Sequence, residues 1–167
     1  NKVMGHILTK FAKIAKKNPL ADRQQGYSAE EISNVNSVNP YIGFPYTKLM
    51  NANAFVDQSS AIIMTSVKHA KELGIPKDKW VYLHGCADAY DHWYLSDRTN
   101  FYTSPAINIT CKEALKMAEC SIEDISFFDI YSCFPSAIKI ACDEMGIDIN
   151  SSKNLTVTGG LPYFGGP

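Results

Sequence analysis

Charge of one sign is what this 167-residue chain most clearly lacks: 16 basic side chains stand against 17 acidic ones, for a formal net charge of −1. Proteins that track phosphate backbones or anionic lipid carry a basic patch or stripe. Nucleic acid and membrane surfaces are therefore not expected partners. Long hydrophobic runs are missing as well. The uncharged stretches are broken by Gly, Pro, Asn and Ser, none offers the roughly 18 continuous apolar residues of a membrane span, and no basic, apolar, small-residue leader opens the chain. A cytoplasmic location is the expectation. Five cysteines, at 86, 111, 120, 133 and 142, form an odd set without any C-x-x-C. That spacing indicates neither a disulfide framework nor a zinc site, and reduced thiols follow.

Apolar residues make up 46% of the chain, enough to close one hydrophobic core. Between Met4 and Lys17 they recur at 4, 7, 8, 11, 14 and 15, the spacing of one helical face, with lysines opposite and near the C-terminal end where cations suit the helix dipole. Residues 18–50 are rich in Asn, Pro, Ser and Tyr and show no sustained period, apart from Ser28 with Glu30 and Glu31, which fits the cap of a short turn. This segment reads as an excursion over another surface. Beyond Asp57 the pattern becomes strand, helix, strand, helix, strand, helix, strand. The strands are "SSAIIMTS", "KWVYLHG", "ISFFDIY" and "LTVT"; the helices are "VKHAKELG", "CKEALKMAEC" and "FPSAIKIACDEMG". An α/β layered domain with a mixed sheet covered by helices is expected, organised as a helix and loop segment over 1–56 and an α/β domain over 57–167.

Three stretches could carry chemistry. In "FDIYSCFPSA" a strand runs into a helix with Tyr131, Ser132 and Cys133 at the junction and Pro135 in the first turn. Unpaired N–H groups and the positive end of the dipole lower a thiol's pKa there, so Cys133 is a candidate nucleophile; equally, Cys133 fits as a small apolar residue and Ser132 as a helix cap. "HGCADAYDHW" gathers His84, Cys86, Asp88, Asp91 and His92, but its spacings match no common zinc or calcium loop, and no metal is expected. "GGLPYFGGP" supplies four glycines, hence positive φ and close backbone approach. It contains no G-x-G-x-x-G, so it is no dinucleotide fingerprint.

Taken in order, "NANAFVDQSSA", "SPAI" ahead of a helix, "FFDIYSCFPSA" and "LTVTGGLPYFGGP" resemble the C-terminal half of the thiolase superfamily, most closely thiolase-like proteins named acetyl-CoA acetyltransferases. The resemblance runs over roughly residues 25–167 and implies a thiolase fold, of which this chain would hold most of the second half. Asn1 in place of Met and an end inside a glycine-rich turn fit the same expectation of an incomplete fragment. Thiolases place an Asn or His where this chain has Tyr131, and the His of a Gly-His-Pro turn where it has Gly166. A missing imidazole removes a general base worth about 10²- to 10⁴-fold.

The resemblance implies a coenzyme A thioester as substrate or ligand, no covalently bound cofactor, and a pocket faced by Tyr131, Ser132, Cys133, Phe134, Gly165 and Gly166. The segment alone is expected to be inactive. Two alternatives stand beside this: a non-catalytic acyl-CoA-binding or partner-assisting subunit, and an enzyme using Cys133 with His84 across the strand ends. The implied partners are acyl-CoA, the N-terminal half of the same protein and, through exposed strand edges, further copies of the chain.

Overall fold

Helix α1 (Lys2–Ala15) forms where the sequence spacing predicts it, and it is the centre of the core. In the computed structural model, which describes residues 2–166, its buried face is Gly5, Ile7, Leu8, Phe11, Ala12 and Ala15. Against that face pack Ile32, Met50, Ile138, Cys142, Leu155 and Tyr163, drawn from both ends of the chain. Each large apolar side chain so enclosed contributes about 1.5–3 kcal/mol over its exposed state.

The 18–50 excursion proves to be ordered by local capping. Helix α2 (Ala29–Ser33) opens with a capping box: the Ser28 hydroxyl accepts the Glu31 N–H and the Glu31 carboxylate accepts the Ser28 N–H. The Ser28 N–H and hydroxyl, both donating to it, hold the Glu31 carboxyl below its ordinary pKa. At the other end, the buried Asn39 side-chain amide donates to the carbonyls of Glu31, Ile32 and Asn34 at 3.0, 3.2 and 2.9 Å, while its oxygen accepts the Leu49 N–H. Carbonyls that a short helix leaves unpaired are thus satisfied by one side chain. A two-stranded antiparallel hairpin follows, β1 (Tyr41–Gly43) and β2 (Tyr46–Thr47), and Thr47 donates its hydroxyl to the Ile32 carbonyl at 2.6 Å.

Three further helices occupy the expected places. Helix α3 (Val67–Glu72) starts at Ser66, whose hydroxyl accepts the His69 N–H. Helices α4 (Pro105–Met117) and α5 (Pro135–Met145) both begin with proline, whose absent N–H costs nothing in the first turn. Gly146 ends α5 at φ +71. None of the described helices is long and apolar enough to cross a membrane.

The four expected strands are the point of difference. Residues 59–66, 79–85, 125–131 and 155–158 are not paired into strands, and the hairpin is the one sheet among the described residues. The class remains α/β, with helices and a small sheet in place of a mixed sheet. The reason is lateral: β-branched and aromatic residues favour an extended backbone, but a ladder needs a neighbour for its N–H and C=O groups. Between the last two segments one backbone bond forms, Ile130 N–H to the Leu155 carbonyl at 3.0 Å. Ile62, Ile63, Met64, Val81, Leu83 and Phe127 stay exposed, Val81 to 95%.

Close crossing of α1 and α2 depends on Gly5, where an added Cβ would sit 2.7 Å from the Ala29 carbonyl oxygen and closer still to the Ser33 hydroxyl. Gly5→Ala gains about 1 kcal/mol of helix propensity but forces the helices apart, a packing cost of about 1–3 kcal/mol. The expected outcome is a lower urea midpoint for Gly5→Ala; a raised midpoint would show that the crossing is not tight.

Candidate functional site

The glycine-rich turn folds back onto the strand-to-helix junction and the asparagine-rich loop, so the three motifs singled out in the sequence meet. The Ser132 hydroxyl accepts the Leu161 N–H at 2.9 Å. Ala52 N–H donates to the Cys133 carbonyl at 3.0 Å, Asn53 N–H to the Leu161 carbonyl at 3.0 Å, and Gly166 N–H to the Asn53 carbonyl at 3.1 Å. Glycine is required at the closest approach: Gly160 lies at φ +72, and a Cβ there would fall 2.5 Å from Phe11 and 2.7 Å from the Ser132 hydroxyl.

Behind the turn, Thr156 donates to Asp129 at 2.8 Å and accepts the N–H groups of Thr158 and Gly159. Asn18 donates to the Thr158 carbonyl at 2.9 Å. Tyr163 is fully buried beside Tyr27, with ring centroids 5.7 Å apart and no partner for its hydroxyl among the described residues. Burial pushes its phenol well above the usual range.

The predicted residues take distinct positions. Tyr131 is exposed and lines an open, mostly apolar cavity of about 560 Å³ together with Ile107, Phe127, Ile140, Met145 and Arg98. Ser132 is 1% exposed, its hydroxyl committed to the turn rather than to a cap of α5. Phe134 is half-exposed and stacks on Tyr46 at 6.4 Å. Gly165 is buried against Val56, and Gly166 lies beside Leu161.

At Cys133 two effects compete: the backbone N–H groups at the helix start favour the thiolate, but desolvation by burial is the larger, and the thiol is pushed up, not down. No hydrogen bond joins it to His84 among the described residues; the His84 ring lies 6.4 Å from that of Tyr82. The 84–93 stretch is organised by Asp91, which binds Arg98 at 2.9 Å and accepts the His92 N–H. These bonds, Arg98 foremost, lower its carboxyl pKa. No group of three or more His, Cys, Asp or Glu that could hold a metal ion occurs among the described residues.

Sequence reasoning missed Asp22, Arg23 and Gln58. Arg23 donates through its backbone N–H to the Tyr163 carbonyl at 2.8 Å, through Nη1 to the Pro162 carbonyl at 3.0 Å and through Nη2 to Asn53 Oδ1 at 3.1 Å. Asn53 Nδ2 donates to the Asp22 carboxylate at 2.6 Å. The Phe164 carbonyl accepts both the Asp22 N–H at 3.0 Å and Gln58 Nε2 at 2.8 Å. Asp22 and Arg23 lie in an aperiodic segment and had no signal of their own.

Neither a family model nor a curated protein matches the chain. Among solved structures, the monomeric SCP2-thiolase like protein type 1 from Mycobacterium smegmatis matches at a TM-score of 0.91 and 40% sequence identity, over 99% of this chain and 36% of that one. The chain thus spans about a third of the solved relative's length, and its fold is SCP2-thiolase-like.

Because burial disfavours the Cys133 thiolate, its iodoacetamide alkylation should reach half-maximal rate above pH about 8.5, the value of a free thiol. A midpoint below that would revive the nucleophile. Gly166, at φ +140 with Leu161 Cδ2 3.0 Å from where a methyl group would sit, predicts a second outcome: Gly166→Ala should cost about 1–3 kcal/mol in denaturant unfolding, and an unchanged midpoint would refute the strained turn.

Proposed function

We propose that this chain belongs to a thiolase-like protein of the acyl-CoA transferase class, of the acetyl-CoA acetyltransferase type, whose site binds a coenzyme A thioester without ordinary thiolase turnover. The observation that carries this reading is the meeting of residues 51–56, 131–134 and 159–166 at one place, in a fold 40% identical over 99% of its length to an SCP2-thiolase like protein. Tyr131, Cys133, Phe134, Gly165 and Gly166 face the thioester in this proposal. Ser132 belongs to the same site and serves it by holding the turn.

The chemistry follows from what these side chains can do. Claisen condensation and its reverse need a base to take the proton of a thiol or of an acyl α-carbon. Gly166 offers no proton acceptor where the thiolase resemblance implies an imidazole. Gly166 also occupies a backbone region that L side chains rarely adopt, so a histidine could not simply be restored there. Cys133 holds its proton more tightly than a free thiol, which disfavours the reading in which it is the nucleophile. What remains is binding and polarisation of the thioester carbonyl by backbone donors. The same facts support the subunit reading, in which the parent carries acyl-CoA or assists a partner.

Location in the cytoplasm, association with the N-terminal half of the same protein and self-association through the exposed apolar segments are parts of the proposal. Exposed Ile62, Ile63, Val81 and Leu83 support the last two.

Calorimetry and a coupled assay test the reading together. The intact protein should bind acetyl-CoA and show no thiolysis of acetoacetyl-CoA. Thiolysis abolished by Gly166→Ala would overturn the claim of lost turnover, and absence of any heat with acetyl-CoA would overturn the claim of a thioester site.

A further inference from the structure

We propose that the backbone N–H of Gly165 is the donor that this site offers to a thioester carbonyl oxygen, and that Asp22, Arg23, Asn53 and Gln58 are the positioning residues that aim it. The inference rests on the acyl-thioester reading above and adds which atom makes the contact and what holds it.

Four consecutive carbonyls of the turn are spoken for. Leu161, Pro162, Tyr163 and Phe164 present consecutive carbonyl oxygens, and each accepts a bond from this one group of residues: Asn53 N–H, Arg23 Nη1, Arg23 N–H, and Asp22 N–H with Gln58 Nε2. The turn's N–H groups are also paired, with one exception. Leu161 N–H goes to Ser132, Tyr163 and Phe164 N–H go to the Gly160 carbonyl, and Gly166 N–H goes to the Asn53 carbonyl. Gly165 N–H has no partner among the described residues, although Gly165 is buried. A buried backbone N–H left unpaired is rare and costly.

Its direction is fixed by the neighbouring carbonyl. The peptide bond between Phe164 and Gly165 is trans, since among the described residues the cis bond lies at Phe44–Pro45. In a planar trans peptide the C=O and N–H point opposite ways. Two donors pin the Phe164 oxygen toward Asp22 and Gln58, so the Gly165 N–H is turned to the opposite side. The positive φ at Gly165, +105, is what permits this plane to stand as it does. An oriented, unpaired donor in a buried turn suits an acceptor that carries developing or partial negative charge, and a carbonyl oxygen is that acceptor. Arg23 adds rigidity: its planar guanidinium fork holds the Pro162 carbonyl and Asn53 Oδ1 at once, a geometry a single ammonium does not reproduce, while its backbone N–H holds the Tyr163 carbonyl.

The test compares acetyl-CoA with S-ethyl-CoA, a thioether of nearly the same shape without the carbonyl. Labelling Phe carbonyl carbons with ¹³C and Gly nitrogens with ¹⁵N restricts the spectrum of the intact protein to Phe-Gly amides, of which this chain holds one, Phe164-Gly165, assigned by its loss in Phe164→Leu. Acetyl-CoA should move the Gly165 amide proton downfield and bind about five- to tenfold more tightly than S-ethyl-CoA, the ratio that one hydrogen bond gives. Gln58→Ala and Arg23→Lys should bring that ratio toward one by weakening acetyl-CoA binding more than S-ethyl-CoA binding. Gln58 is exposed, so its variant keeps the test available if the Arg23 change unfolds the chain. Equal affinities in the unaltered protein, or an unmoved Gly165 signal, overturn the donor and leave the thioester site standing. A ratio preserved in both variants overturns the positioning role. Failure of both ligands to bind removes the thioester reading itself, and this proposal with it.

Discussion

A turn that belongs to no helix and no sheet must find partners for its backbone elsewhere, and the 159–166 segment finds many of them in side chains and loops distant in sequence. Asp22, Arg23, Asn53, Gln58 and Ser132 supply these, while Thr156, Thr158 and Gly160 supply the local ones. The rest of the candidate site depends on this arrangement. Without it the Asn-rich loop and the start of α5 would have little to converge on, since the hydrogen bond between them among the described residues is the Ala52–Cys133 one. Each partnership is worth about 0.5–1.5 kcal/mol net, but leaving one buried group unpaired costs more than making it gains. The network therefore specifies the turn more strongly than its separate bonds suggest.

Helix α1 gives that network its floor. Ala15 lies against Gly159 and Phe11 against Gly160, both so close that a methyl group on either glycine would collide. The same helix face meets Ile138 and Cys142 of α5. The first helix in the chain thus sets the height of its last turn and the position of the helix that follows Cys133.

Legibility in the sequence divides along physical lines. Helices α1, α3, α4 and α5 were visible because burial on one face imposes a 3.6-residue period, and because Pro105, Pro135, Gly74 and Gly146 mark ends whose backbone chemistry is local. The site motifs were visible through glycine clusters and a strand-to-helix junction. What sequence could not show was pairing. Ile62, Val81 and Phe127 carry strand propensity, yet a ladder depends on a second segment that propensity does not name. Arg23 likewise reads as one more charge in a polar stretch, and its role arises only when residues 162 and 163 arrive beside it. The expected low pKa of Cys133 failed for a related reason: the helix start was legible, the dehydration around the sulfur was not.

Asn39 shows how far one amide can reach. Its nitrogen faces three carbonyls and its oxygen faces one N–H, so the site demands both a donor and an acceptor at fixed ends of a group only a few ångströms long. An aspartate of identical outline would turn the donor end into a negative oxygen looking at three other oxygens, in a place that is 1% exposed to water. Chemical hydrolysis of this one amide, with no change of shape and no lost atom in the apolar interior, would accordingly set the hairpin and α2 against each other. The excursion over residues 18–50 is thus held less by bulk than by the polarity of a single planar group.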